Sequence, residues 1–413
     1  MTTNENKEEL KVNFYSFIVV ALCALTWGVS FISRNVWSSA IASEATLANL
    51  GITAVQAGGI ATAFYIGYVI SNFISGWLID AIGAKKSLAI TALGTGVATL
   101  LIPVTSGYWV MFLLRVLAGV FAGPLFSCIT KFNYAYFPDK NRAVVTGLMG
   151  AGPAMGSAIA SIAFTPMVAT RGYKVAFIWA GVVTVAIGVI VWLVLKDRGV
   201  TLPAKSMDIS EEEKKNFTAN ALKVFMKKDF LIGSVTHFAF LCASTGLATW
   251  MLGYLVNENG MAPATAGLVF GGAQLLGLIS GTLGGIFSDM FKTRKWLMII
   301  FALISGLGLV LFTTLKSVGA LTVCYSIINL CQAMAGTCSN TMQIERAKGP
   351  YSGKVMGWYN AICQLGSVTI PLVTGAVLDS TGSYKNVLFT IAAVFIIPIV
   401  LGFAVKDTYV KKH

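Results

Sequence analysis

The sequence predicts an all-α membrane protein with twelve transmembrane helices in two pseudo-symmetric six-helix bundles. Three observations lead there. Apolar residues fill 56% of the 413 positions and charged residues only 11%, with a mean hydropathy of +0.76. A water-soluble fold of this size could not bury that much apolar surface, whereas lipid is itself an apolar solvent. The apolar residues also fall into twelve runs near the ~20 residues a bilayer crossing demands. Finally, the second half of the chain repeats the first.

The elements follow in order. A polar tail, residues 1–13, opens MTTNENKEELK and carries no cleavable leader; the first span is too long for a signal peptide. The first bundle occupies 14–195, with spans near 14–40, 53–79, 87–105, 108–135, 143–169 and 174–195. Residues 196–229 contain SEEEKKN, too charged to insert, and form a linker. The second bundle, 230–405, has spans near 230–256, 264–288, 295–315, 318–343, 353–377 and 385–405, followed by a tail at 406–413. Proline at 124, 153, 166, 371 and 398 removes an intrahelical hydrogen bond and can seed a bend.

The formal charge of +13 would suit a nucleic-acid binder, but its distribution excludes one. Arg171, Lys174, Lys316 and Lys385 lie in alternate loops, and Arg34, Arg115 and Lys131 lie within spans. The rest of the 30 Lys and Arg sit on one side. That bias places both termini in the cytoplasm. The expected location is the plasma membrane, for a bacterium the inner membrane. The seven cysteines all fall in apolar spans without a Cys-x-x-Cys pair, so they read as small core residues. No metal site and no cofactor are expected, and the Gly94–Gly96 pair follows no strand that would make it a nucleotide loop. No span carries His-Glu-x-x-His, Gly-x-Ser-x-Gly or Gly-x-Gly-Asp, which argues against an intramembrane enzyme.

The repeat is specific. GWLIDAIGAKK (76–86) follows the second span and GIFSDMFKTRK (285–295) follows the eighth, so Asp80 maps onto Asp289. Gly147, Gly156 and Ser157 map onto Gly357, Gly366 and Ser367 at an offset of 210. Duplicated bundles of this kind are a transporter architecture, with the substrate site between the halves near the midplane. The loop motif at Gly76, Leu78, Asp80, Gly83, Lys85 and Lys86, with its degenerate second copy, resembles the major facilitator superfamily over nearly the whole chain. Ala81 stands where that family often has Arg. The resemblance implies that Asp80 and Asp289 help latch the halves at the cytoplasmic face. Their candidate partners are a helix N-terminus or the loop cations Arg142 and Lys354, with Gly76 and Gly83 shaping the turn.

Arg34, in SFISRNVWSSAI, and Lys131, in the fourth span, interrupt stretches that otherwise read as hydrocarbon-spanning. No Asp or Glu lies well inside any span to neutralise them, and such a charge usually faces an aqueous pathway or a partner. The first and fourth spans resemble those of the anion:cation symporters: Arg34, then Arg115, Gly119, Pro124, Phe126 and Lys131. That resemblance implies that Arg34 and Lys131 bind a substrate anion, while Arg115 supports packing or coupling. Arg offers two fixed donors matched to a carboxylate; Lys offers a point charge. Snorkelling of the long stems to an interface is the competing reading.

Many anion:cation symporters carry Glu seven residues after the shared Arg; here that residue is Ala122. His237 is the one intramembrane group suited to proton coupling. The seventh span lacks the Arg of organophosphate exchangers, which points to a carboxylate instead of a phosphate ester. Tyr65, Tyr68, Asn72, Gln274, Asn329, Gln332, Asn360 and Gln364 are the expected polar lining.

The reading is a rocker-switch carrier of a small organic anion: a sugar acid, or a short-chain mono- or dicarboxylate. A proton or counter-anion is its possible coupling partner, and the chain is expected to act as a monomer in the lipid bilayer. An exchanger of the oxalate–formate type and a drug efflux carrier are the alternatives. Exporters of cationic drugs usually carry an intramembrane acid that this chain lacks.

Overall fold

The computed structural model describes residues 13–105, 107–197, 216–347, 349 and 351–409; the side chains of 76, 77, 80, 139, 140, 143 and 353 fall outside the described set. Nearly all of the 1–13 tail, half of the 406–413 tail and most of the 196–229 linker lie outside it as well.

Among the described residues, twelve helices are long and apolar enough to cross a membrane. In the first half they are α1 (Phe14–Ile41), α2 (Ala54–Ile82), α3 (Ala84–Val104), α4 (Tyr108–Tyr136), α5 (Val144–Arg171) and α6 (Tyr173–Val194). In the second half they are α7 (Lys228–Glu258), α8 (Pro263–Phe291), α9 (Lys295–Phe312), α10 (Val318–Arg346), α11 (Ser352–Thr381) and α12 (Tyr384–Ala404). An even number of crossings brings the start of α1 and the end of α12 to one face, the terminal face. The opposite side is called distal. The described end of the linker holds one further helix, Phe217–Phe225, where the sequence suggested only a polar stretch.

Side-chain chemistry sets several helix starts. Asn13 accepts from the Ser16 N–H at 3.1 Å while its own N–H donates to Ser16 Oγ, a reciprocal cap at α1. Thr53 and Gln56 do the same at α2. Such boxes satisfy two of the four N–H groups a helix start leaves open. The bends have local causes: α4 breaks at Gly123 and Pro124, and α5 and α7 each contain one wider turn, at 160–164 and 254–258.

Within each half, helices approach at glycine. A Cβ on Gly156 would strike the carbonyl oxygen of Gly28, and one on Gly366 would meet the carbonyl oxygen of Phe238. These two α5–α1 and α11–α7 contacts are the same contact displaced by one repeat. Hydrogen bonds repeat with them: Asn35 Nδ2 donates to Ser157 Oγ, and Thr245 Oγ1 donates to Ser367 Oγ, both at 2.9 Å.

The repeat extends to the terminal face in a way the loop motif did not suggest. After α6, Asp197 turns its carboxylate onto the start of α3, accepting from the Lys85 N–H at 3.4 Å. Gly83, at φ +86°, leaves the space that this carboxylate fills. One repeat later, Asp407 accepts from Thr293 Oγ1 at 2.5 Å and from the backbone N–H groups of Arg294 and Lys295 at the start of α9. Arg294 also forms an ion pair with Glu345 of α10. Each half thus folds its last residues back to cap its own third helix.

Burial opposes the charge on Asp407, but the Thr293 hydroxyl and the backbone N–H groups of Tyr409, Arg294 and Lys295 outweigh it. They hold the carboxyl below its ordinary value. The stabilisation is therefore complete above the ordinary carboxylate range and is lost as the pH falls through the depressed value. Asp407→Asn is expected to unfold at a lower temperature than the parent at neutral pH. The two curves should converge in acid, as read by thermal unfolding in detergent at both pH values.

Candidate functional site

Between the halves lies a chamber of about 500 Å³, in the range of small-molecule sites. The first half contributes Trp27, Phe31, Arg34, Asn35, Tyr65 and Tyr68 among others, and the second contributes His237, Gln274, Tyr325, Asn329, Gln332 and Gln364. Its closure is one-sided. Thr62 Oγ1 of α2 donates to the Val368 carbonyl oxygen of α11 at 2.7 Å. Gly58 is pressed against the Pro371 carbonyl, and Gly267 of α8 against that of Ser161. All these contacts lie distal to the chamber. Toward the terminal face, positions 147, 285 and 357 on α5, α8 and α11 meet nothing within 4 Å where a side chain would begin. The chamber is sealed distally and opens toward the terminal face.

Arg34 stands in an aromatic setting. Its guanidinium carbon is 4.3 Å from the Phe31 ring centroid, 4.9 Å from Phe64, 5.1 Å from Tyr65 and 5.3 Å from Tyr68. Ring faces attract a cation by about 0.5–2 kcal/mol each, well short of a carboxylate in low dielectric. Among the described residues no acid pairs with Arg34, and its Nε is buried without a hydrogen-bond partner. The guanidinium reaches the chamber and does not snorkel out of it.

Arg115 is the opposite case. It is 1% exposed and, although its Nε also lacks a partner, its two terminal nitrogens are bonded within the protein: Nη1 donates to the Ser33 carbonyl at 2.8 Å and Nη2 to the Arg34 carbonyl at 2.9 Å. Its carbon also lies 5.1 Å from the Phe64 centroid. Arg115 therefore fixes the stretch of α1 that carries Arg34, with the Phe64 ring beside both guanidinium groups.

The second half supplies neutral polar groups. Asn329 Nδ2 donates to Gln274 Oε1 at 2.8 Å, which leaves the Gln274 amide donors and the Asn329 carbonyl oxygen available at the chamber. Gln332 is buried at the lining and Gln364 stands half-buried beside it. His237 lines the chamber with its ring 5.5 Å from Tyr359, and its Nδ1 is buried without a partner.

Three expected lining residues lie elsewhere. Lys131 is not at the chamber; its Nζ is 3.5 Å from the Ile79 carbonyl oxygen at the terminal end of α2. It stands four helical turns from Arg115, beyond the chamber's depth. Asn72 donates back to the Tyr68 carbonyl at 3.0 Å, one turn past the lining, and Asn360 is exposed one turn below Gln364. Of the gate residues, Asp80 and Gly76 have side chains outside the described set, Asp289 is exposed, and Gly83 forms the turn described above. Arg142 donates from Nε to the Phe137 carbonyl at 3.1 Å and lies over the Tyr134 ring, and Lys354 donates to Thr218 of the linker helix. Asn35, Ser157, Thr245 and Ser367 line the chamber without having been singled out as ligands. Ser157 and Ser367 were visible as a repeat pair.

Comparison with known proteins agrees with this architecture. The family description "Major Facilitator Superfamily" matches residues 18–371 and again 234–412. A hexuronate transporter of Bacillus subtilis is 24% identical over 380 residues, covering 89% of each chain. A D-galactonate transporter of Escherichia coli is 24% identical over 410 residues, covering 92% of this chain and 93% of its own. Among solved structures, a bacterial homologue of the human lysosomal transporter Spinster, inward-facing and occupied, superimposes with a TM-score of 0.77. It shares 14% identity and covers 95% of this chain and 97% of its own.

The half-buried Arg34 and the buried Arg115 should separate in stability measurements. Arg115→Met removes two hydrogen bonds from a charged donor, whereas Arg34→Met removes none. Arg115→Met is expected to be the less stable of the two by about 1–3 kcal/mol. Arg34→Met should equal or exceed the parent, because it removes a half-buried charge that no acid among the described residues pairs. Thermal unfolding of the three proteins in one detergent checks the order.

Proposed function

Because the chain belongs to the Major Facilitator Superfamily, we propose that it carries a small hydroxylated organic anion across the membrane by alternating access. The class is a sugar acid or a short-chain hydroxylated mono- or dicarboxylate. One observation carries the reading: Arg34 faces the chamber with no acid among the described residues to neutralise it. A guest carboxylate supplies the missing charge, and the guanidinium offers it two parallel donors. The Gln274–Asn329 pair, Gln332 and Gln364 face it from the other half and suit hydroxyl groups, which need both donors and acceptors. Relatives that carry hexuronate and D-galactonate support this class.

The cycle follows from the electrostatics. An anion entering the chamber neutralises Arg34 and so lowers the cost of enclosing that cation in low dielectric. The halves then rock, the distal contacts part and the terminal side closes, with Asp80 and Asp289 latching that side. The excess of basic residues on the terminal face makes it the cytoplasmic one, so the structure is inward-open. Lys131 takes no part in binding in this state.

Exchange of anions, or facilitated diffusion, needs nothing beyond these groups. His237 at the chamber wall, its Nδ1 without a hydrogen-bond partner, favours a second reading, proton symport.

Purified protein in liposomes tests the proposal with labelled D-galactonate and D-glucuronate. Uptake is expected from Arg34-containing protein and to fall at least ~100-fold in Arg34→Met, the cost of removing one partner of a buried charged pair being ~3–5 kcal/mol. Uptake retained in Arg34→Met, or a preference for cationic solutes, defeats the reading. Gln274→Leu is expected to weaken hydroxylated acids more than an unhydroxylated acid of equal length, measured by competition. Uptake that requires anion inside the vesicle marks exchange. A pH-driven component that disappears only in His237→Gln marks symport.

A further inference from the structure

The distal closure is built twice from the same parts and finished differently. In the first copy, α2 meets α11: Gly58 lies against the Pro371 carbonyl and Thr62 against that of Val368. In the second copy, α8 meets α5: Gly267 lies against the Ser161 carbonyl and Gly271 near that of Ala158. Shifting by the repeat carries Gly58 onto Gly267, Thr62 onto Gly271, Ala158 onto Val368 and Ser161 onto Pro371. The two crossings are equivalent residue by residue.

Farther toward the distal face the equivalence stops. The start of α8 is Pro263, which has no N–H to satisfy. Opposite it, the repeat places Ala169, which has nothing to offer. The start of α2 is Ala54, and both Ala54 and Val55 keep their N–H groups. The helix's own cap residue, Thr53, is occupied with Gln56. The two remaining donors point across the interface to Asp379 at the end of α11. Asp379 Oδ1 accepts from Ala54 N–H at 2.7 Å and Oδ2 from Val55 N–H at 2.9 Å. A carboxylate at a helix N-terminus gains from both hydrogen bonds and the helix dipole. This one joins the two halves of the molecule, so it exists only while the distal side is closed.

We propose that Asp379 is the distal latch of the transport cycle, a gating residue that holds the inward-open state through the start of α2. The inference rests on the rocking-halves reading given above. Its sequence setting agrees: Gly375, Asp379 and Gly382 keep the spacing of Gly76, Asp80 and Gly83. Thus α2 ends in such an acid at the terminal face and α11 ends in one at the distal face. Each is in a position to cap the other helix when its own side closes.

Spin labels on Ala48→Cys and Lys316→Cys, exposed distal-face positions in opposite halves, read the opening. The seven native cysteines are replaced first and the full chain is reconstituted in liposomes. In Asp379→Asn the ratio of long to short distances is expected to rise about tenfold, as for loss of a charged hydrogen-bond pair. The KM for D-galactonate offered from the distal side should fall, because a larger fraction of the protein is open there, while kcat falls as well. Ala54→Pro, which copies Pro263 at a position that tolerates proline, should move the distances the same way. Because Ala54→Pro removes one of the two bonds and leaves that from Val55 N–H, the double variant should fall short of the sum of the two single changes.

Unchanged distances in both single variants overturn the latch. If D-galactonate shifts the distances of the otherwise unmodified carrier and Asp379→Asn does not, the latch falls and rocking stands. If neither the sugar acid nor the substitution shifts them, rocking falls too.

Discussion

A guanidinium held deep in a membrane-spanning helix, with no carboxylate paired to it among the described residues, is the constraint around which this chamber is arranged. Arg34 is surrounded by four aromatic rings, and those contacts recover only part of the free energy lost in leaving water. The protein spends a second arginine, this one fully buried, on it. Arg115 ties off the Ser33 and Arg34 carbonyls and leaves the first guanidinium to face the cavity. The arrangement is costly for folding and useful for binding, because an incoming anion gains what the protein withheld.

Duplication explains how such a site can sit in a stable frame. The contacts that hold each half together are repeated nearly atom for atom. They are Gly156 on Gly28 and Gly366 on Phe238, Asn35 with Ser157 and Thr245 with Ser367, and Asp197 and Asp407 on their third helices. The contents of the chamber are not repeated. Where the first half has Arg34 and Arg115, the second has Ser244 and Tyr325 at the same places. One half supplies charge and the other neutral amides, the two kinds of group that the proposed guest, an acid bearing hydroxyls, would need.

The same logic governs the gates. Two equivalent helix crossings close the distal side, and a difference of two residues decides how each ends. Proline at the start of α8 removes a donor. Alanine at the start of α2 keeps one, and Asp379 answers it from the other half. Closure thus combines glycine packing at both crossings, the Thr62–Val368 hydrogen bond at one of them and, at the rim of that same crossing, two hydrogen bonds to Asp379.

The twelve crossings, the duplication and the isolated cation at Arg34 were legible in the sequence, because each depends on composition or spacing along a single helix. Hydrocarbon length sets the run, and the absence of acids in the spans is a property of the list of residues. Tertiary structure alone decided which polar side chains share the chamber. Helical spacing placed Tyr68 and Asn72 on one face, yet a rise of one turn put only the first at the cavity. The resemblance implied an anion-binding role for Lys131 beside Arg34, but its Nζ lies against the Ile79 carbonyl at the α2 terminus. Asp379 drew no notice, because its partners are backbone N–H groups more than three hundred residues away, which no side-chain pattern records.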